Sequence, residues 1–222
     1  MPSYRMGGFG RFQPRTAGQN HPGGVMVHYF LQEELDDTTS IEITFMEEDG
    51  DTIRTFSSAD KKFSRLFSDA SAGMNRFVWN MQYEAATTFE GMILWWGETD
   101  GPKAVPGSYK VSMKVGDEIP EKPFTILADP RSESSPEDIQ AQFDFLLQVR
   151  DKLTETHQAI IDIRTTRTQI SAFMKGVEEG EQEELRKQAK EITDTITEIE
   201  KALYQTKNRS GQDPLNFPIR LN

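Results

Sequence analysis

Residues 101–115 read GPKAVPGSYKVSMKV and join a rigid turn to an alternating strand. Pro102 and Pro106 fix φ, and Gly101 and Gly107 tolerate backbone angles that a Cβ disfavours, so the first half is typical of a turn. In the second half polar and apolar residues alternate, and one face carries Tyr109, Val111, Met113 and Val115. One apolar and one polar face are typical of a strand in an antiparallel sheet.

Short apolar runs on both sides of this stretch predict further strands. Alternating, β-branched or aromatic residues occur at 25–31, 40–46, 52–56, 73–81, 91–96 and 122–128. Asp49-Gly50 marks a hairpin turn between two of these runs, and 59–72 is a loop or a short helix. About seven short strands between residues 24 and 130 predict an antiparallel β-sandwich of the immunoglobulin or fibronectin III type.

Beyond Asp129 the apolar rhythm changes from every second residue to every third or fourth. Ser135 is placed as an N-cap, Pro136 occupies the first helical position, and Asp138 completes a capping box, so a helix over 136–175 is expected. His157 and Arg167 interrupt its apolar seam. A helix at this spacing is typical of a bundle or hairpin partner.

A second helix is expected after Gly176 and Gly180. Its predicted seam has heptad spacing and consists of Leu185, Ala189, Ile192, Ile196, Ile199 and Leu203. Two helices with a short connection predict an antiparallel hairpin over 131–222, followed by an extended tail. The fold class is therefore α+β, with strands first and helices second. The hairpin seam serves the pair alone or leaves a stripe for a partner helix or a second copy.

Composition excludes several functions. The net charge of −11 and the sparse arginines of residues 1–23, interpreted as a linker or arm, disfavour nucleic acid as a partner. No apolar run approaches the ~20 residues of a membrane span, and residues 1–24 lack the apolar segment of a signal peptide. The absence of cysteine excludes disulfides and thiolate chemistry. No motif predicts a cofactor.

Several stretches together resemble a known family, the C-terminal region of bacterial sortilin-like proteins with BNR-type β-propeller repeats. They are NHPGGV at 20–25 leading to Tyr29, NRFVWN at 75–80, GMILWWG at 91–97, GP at 101–102, PGSY at 106–109, DPR at 129–131, and Ile163-Arg164 with Arg167 and Gln169. Such proteins are exported and often labelled glycosyl hydrolases. The resemblance implies that the propeller lies upstream and that this chain is an accessory module, to which no catalytic residue of the family transfers.

Three sets of residues could carry chemistry. Trp95 and Trp96 are adjacent, so on a strand they face opposite ways and one of them needs a cover, which is either another part of the protein or a glycan stacked on the ring. Acidic residues cluster at Glu47, Glu48, Asp49 and Asp51, where a hydrated turn is the simpler interpretation than a glycosidase pair or a calcium site. The three histidines share no spacing typical of metal ligands.

The sequence therefore predicts a non-catalytic structural or interaction module of an exported propeller protein. A carbohydrate-binding module that uses Trp95 or Trp96 is the second hypothesis. A glycosidase in its own right is the third.

Overall fold

The computed structural model describes residues 23–36, 39–94, 97–177 and 182–213, together with 216, 217 and 220. The strands precede the helices, as expected. In chain order the elements are β1 (Val25–Leu31), β2 (Ile41–Glu47), β3 (Thr52–Ser57), β4 (Gly73–Trp79), β5 (Gly107–Val115), β6 (Glu121–Ile126), α1 (Pro136–Lys175) and α2 (Glu183–Leu203). A 3-10 turn at Ser64–Phe67 lies within the predicted loop. Residues 1–22 of the arm predicted over 1–23, and most of the predicted tail, lie outside the described residues.

The strands form two antiparallel sheets. One sheet pairs β1 with β4, and the other has the order β3-β2-β5-β6. The alternating strand β5 lies at the centre of the larger sheet, where Phe45 of β2 faces Val111 and Phe124 of β6 faces Tyr109. The fold is therefore α+β, with antiparallel sheets followed by two helices.

One aromatic core joins the inner faces of the two sheets. Phe45 of the larger sheet stacks on Trp79 of the smaller one with ring centroids 4.3 Å apart, and Phe56 lies 5.0 Å from Phe77. These side chains are buried, and the indole N–H of Trp79 donates to the carbonyl oxygen of Gln82 at 3.1 Å. Each buried aromatic side chain contributes about 1.5–3 kcal/mol, so this cluster is the main apolar support of the sheets.

The turn before β5 is held by a side chain of the strand itself. The Tyr109 hydroxyl donates to the carbonyl oxygen of Val105 at 2.7 Å, across the turn formed by Pro106 and Gly107. Gly101 lies so close to a neighbouring backbone that an added Cβ would be 2.5 Å from the carbonyl oxygen of Tyr83. The glycine and the tyrosine therefore both fix the path of the chain into β5.

The prediction of a strand over 91–96 is wrong for the part of it that the structure describes. Residues 91–94 belong to no strand, and Trp95 and Trp96 lie outside the described residues. Outside that gap, the long connection from Asn80 to Pro106 is irregular except for an isolated bridge between Gln82 and Lys103. Phe89 and Met92 pack against Ile160 and the end of α2, which follow much later in the chain, so no strand neighbour is needed to bury them.

Helix α1 has the predicted bounds. Ser135 is its N-cap, and the reciprocal capping box with Asp138 is present. The buried ring of Phe143, in the first turns, meets the ring of Tyr83 edge-on at 4.9 Å and joins the core of the sheets. The start of α1 therefore packs on the sheets.

Helix α2 runs antiparallel to the second half of α1. Arg164 contacts Glu200, and Arg167, three residues further along α1, contacts Thr197, three residues earlier on α2. The predicted seam of α2 is wrong at Ile192 and Ile199, which are 50% and 47% exposed, whereas Glu200 is 2% exposed. Two arginines of α1 draw the carboxylate inward. Among the described residues, no helix is long and apolar enough to cross a membrane.

Candidate functional site

The connection between β4 and β5 fastens the sheets to both helices. The backbone N–H of Thr87 donates to the hydroxyl of Thr154 at 3.2 Å, and Nδ1 of His157 lies 2.5 Å from the carbonyl oxygen of Thr87. Since a carbonyl oxygen can only accept, Nδ1 carries the proton. The buried His157 is thus a satisfied structural residue, which explains the interruption that the sequence shows in the α1 seam.

A second, smaller core lies where this connection meets α1 and the end of α2. It contains Phe89, Ile160 and Tyr204, with the Phe89 and Tyr204 rings edge-on at 5.1 Å. The backbone N–H of Ile93 donates to the Tyr204 hydroxyl at 2.7 Å. This contact joins segments 111 residues apart in the chain.

Next to this core, one buried carboxylate forms ion pairs with two arginines. Oε1 of Glu200 lies 2.8 Å from Nε of Arg164, and Oε2 lies 2.7 Å from Nη1 of Arg167. Arg164 also donates to the carbonyl oxygen of Glu90 at 3.2 Å, and its guanidinium lies over the Phe89 ring at 4.6 Å. The three charged groups therefore have fixed positions before any ligand arrives.

These groups form one wall of a cavity of about 280 Å³, which we call the basic pocket. Its lining residues are Gly91, Arg164, Arg167, Thr197, Glu200, Lys201, Tyr204, Thr206, Asn208 and Arg209. Four of these side chains are cationic and one is a carboxylate. The chain as a whole carries a net charge of −11, so this concentration of positive charge is local.

Asn208 is the unexplained polar group of the basic pocket. The residue is 5% exposed, and neither Nδ2 nor Oδ1 of its amide has a hydrogen-bond partner among the described residues. An unsatisfied buried polar group costs about 1–3 kcal/mol, so most such groups in proteins are paired. Asn208 lines the basic pocket, and the described residues do not supply a partner for its amide.

The sequence predicted other residues as candidate sites. Trp95 and Trp96 are outside the described residues, so a sugar-stacking role stays a prediction. Glu48, Asp49 and Asp51 are exposed around the turn after β2, as a hydrated turn requires, and Glu47 accepts from the hydroxyl of Tyr83 at 2.8 Å. In the described part of the chain, no group of three or more His, Asp or Glu residues could hold a metal ion.

The basic pocket itself was not predicted. Arg167 on an apolar seam was a signal that a carboxylate of the facing helix is near, but the partner could not be chosen among the many acids of α2. Asn208 and Arg209 follow α2 in a segment with no period. Comparisons with family models, curated proteins and solved structures found no match for this chain.

Proposed function

We propose that this chain is a non-catalytic structural and interaction module, the C-terminal part of an exported protein with an upstream sortilin-like, BNR-repeat β-propeller. The proposal rests on the sequence resemblance and on an exposed apolar surface of α1. It includes an immunoglobulin- or fibronectin III-like sandwich as the fold of the two sheets.

Strand order supports the sandwich. In immunoglobulin-like folds strand B pairs with strand E, and strands C and F are neighbours in the opposite sheet with G beside F and, where present, C′ beside C. The orders β1-β4 and β3-β2-β5-β6 correspond to B-E and C′-C-F-G. Tyr109, near the start of the strand that corresponds to F, bonds to the backbone four residues upstream, as the tyrosine corner of such folds does.

The observation that carries the interaction role is an apolar stripe on the first half of α1. Because α1 has 40 residues and α2 has 21, α2 cannot cover this half. Phe143 turns toward the sheets, whereas Phe145, Leu146 and Val149 are exposed, Phe145 by 62%. Exposed clusters of large apolar side chains mark interaction sites. We assign this stripe to the propeller domain of the parent protein.

The test is calorimetric titration of this chain into the propeller encoded upstream in the same reading frame. We expect saturable binding that Phe145→Glu weakens at least tenfold, because the substitution places a charge in an apolar contact. Phe173→Glu is the matched control, since Phe173 lies on the same helix, is 63% exposed and is far from the stripe.

Three results would overturn the proposal. They are a reading frame without a propeller, equal effects of the two substitutions, and glycoside turnover by this chain alone. Saturable glycan binding by the wild-type chain would instead support the carbohydrate-binding hypothesis.

A further inference from the structure

We propose that the basic pocket binds a small oxyanion, that is, a phosphate, sulfate or carboxylate group, through Arg167, Arg209 and the amide of Asn208. This inference is independent of the propeller and of the apolar stripe on α1. It rests on the charge of the pocket, on the donors that its side chains leave unused, and on the unpaired Asn208.

Positive charge exceeds negative charge around the pocket. Glu200 offsets one of its two arginines, Lys201 pairs with Glu198 at 2.8 Å, and Arg209 lies near Asp213, whose carboxylate accepts from backbone N–H groups. Four cations therefore face three carboxylates, and one of these carboxylates is buried between Arg164 and Arg167. The ion pairs within the protein leave an excess positive charge that an anion would neutralise.

Unused donors are present on the same wall. Nη1 of Arg167 serves both Glu200 and Thr197, at 2.7 Å and 3.2 Å. Its Nε and Nη2 make no hydrogen bond within the described part of the chain. A guanidinium offers five N–H groups in a planar fork that matches the geometry of a phosphate or carboxylate, so Arg167 retains donors for a bidentate contact.

Asn208 adds a requirement that charge alone does not explain. Nδ2 can donate only to an acceptor, and an oxyanion supplies acceptors in several directions. Oδ1 can accept from a hydroxyl of the same ligand, such as that of a hydrogen phosphate, or from a water that the ligand holds. A purely structural role for the arginines explains the pairing with Glu200 but gives the amide atoms of Asn208 no partner among the described residues.

The pocket is prepared for binding in two respects. The Arg164 guanidinium is fixed by Glu200, by the carbonyl oxygen of Glu90 and by the rings of Phe89 and Tyr204. This arginine therefore loses little side-chain entropy when a ligand binds. The cavity of about 280 Å³ lies at the lower limit of the ~300–1,000 Å³ typical of ligand sites, which favours a small ion or a single acidic group.

The experiment is an NMR titration of the ¹⁵N-labelled full chain with sodium phosphate, sodium sulfate and sodium acetate. Ionic strength is held constant with sodium chloride, so general screening does not contribute. We expect saturable one-site shifts of the backbone amides of Gly91, Arg167 and Asn208. The anion with the lowest Kd identifies the group that the pocket prefers.

Two variants test the assignment. Arg209→Gln and Asn208→Leu should each raise the Kd at least fivefold. Arg209 is exposed, so its replacement tests the pocket even where Asn208→Leu disturbs folding. Arg65→Gln, at an exposed arginine of the 3-10 turn, is the matched control and should leave the Kd unchanged. The proposal is refuted by shifts that do not saturate with any of the three anions, or by equal weakening in Arg65→Gln.

Discussion

Replacement of Glu200 by Gln should destabilise the protein far more than replacement of the exposed Glu198 by Gln. The Glu200 side chain is 3% exposed and forms ion pairs with two guanidinium groups at 2.8 Å and 2.7 Å. Glutamine has nearly the same shape but loses the charge, and its amide nitrogen would face a guanidinium N–H. One arginine would therefore lose its acceptor, and both would lose their counter-ion.

The magnitude follows from burial. Removing one partner of a fully buried ion pair costs about 3–5 kcal/mol, because the other charge stays unpaired in a medium of low polarity. Here the side chains of Arg164 and Arg167 are 34% and 30% exposed, so water can reach them in part. We therefore expect the free energy of unfolding to fall by about 2–4 kcal/mol.

The assay is urea denaturation followed by circular dichroism, with Glu198→Gln as the control. Glu198 lies on the same helix and pairs with Lys201, but its side chain is 73% exposed. An exposed pair contributes about 0–1 kcal/mol, so the control should stay within that range. In a double-mutant cycle with Arg167→Met, a coupling energy of about 1–3 kcal/mol is expected between the two sites.

Two outcomes would refute the reasoning about Glu200. In the first, Glu200→Gln and Glu198→Gln give the same free energy of unfolding within about 0.5 kcal/mol, a difference typical of surface substitutions. In the second, the effects of Glu200→Gln and Arg167→Met are additive. Either result would mean that the carboxylate and the arginine do not act on each other.

Three further substitutions test other parts of the fold. Phe143→Ala should lower the free energy of unfolding by about 3–5 kcal/mol, because this ring joins α1 to the core of the sheets. Circular dichroism and tryptophan fluorescence should report one common unfolding transition. Separate transitions would contradict the packing of α1 on the sheets. Ser135→Ala should cost about 1 kcal/mol in urea denaturation through loss of the N-cap bond to Asp138, and no change would show that the cap is not formed. The side-chain and backbone hydrogen bonds with Arg131 lower the pKa of Asp129 to about 2; Arg131→Gln should raise that pKa toward the ordinary value of 3.8 in an NMR titration, and an unchanged pKa would exclude the pair in solution.

Local patterns predicted the regular elements well. Strand β5 follows from its alternation, and α1 has the predicted bounds of 136 and 175 because proline, N-cap and capping box all lie in one short stretch. Both signals depend on neighbours within a few residues. The prediction of a strand at 91–96 failed because Phe89 packs with Ile160 and Tyr204, and Ile93 is hydrogen-bonded to Tyr204. Local sequence patterns do not report contacts between residues so far apart in the chain.

The same separation hid the basic pocket. His157 and Arg167 were visible as interruptions of a seam, but their partners, Thr87 and Glu200, are 70 and 33 residues away in the chain. The heptad spacing of α2 predicted that Ile199 is buried and gave no indication that Glu200 is. Ion pairing outweighed apolar spacing at this turn, because two arginines of α1 were already fixed opposite it.

The buried carboxylate also specifies how the two helices align. Apolar residues of α2 recur every three or four positions, so a slide by one heptad would keep most apolar contacts. That slide would place Thr193 or Lys207 opposite Arg164 and Arg167 in place of Glu200, and neither residue offers a carboxylate. The slid pairing would leave two partly buried positive charges without this counter-ion, at a cost of about 2–4 kcal/mol. A single buried polar residue is known to fix helix register in this way, so the apolar seam provides attraction and Glu200 selects the alignment.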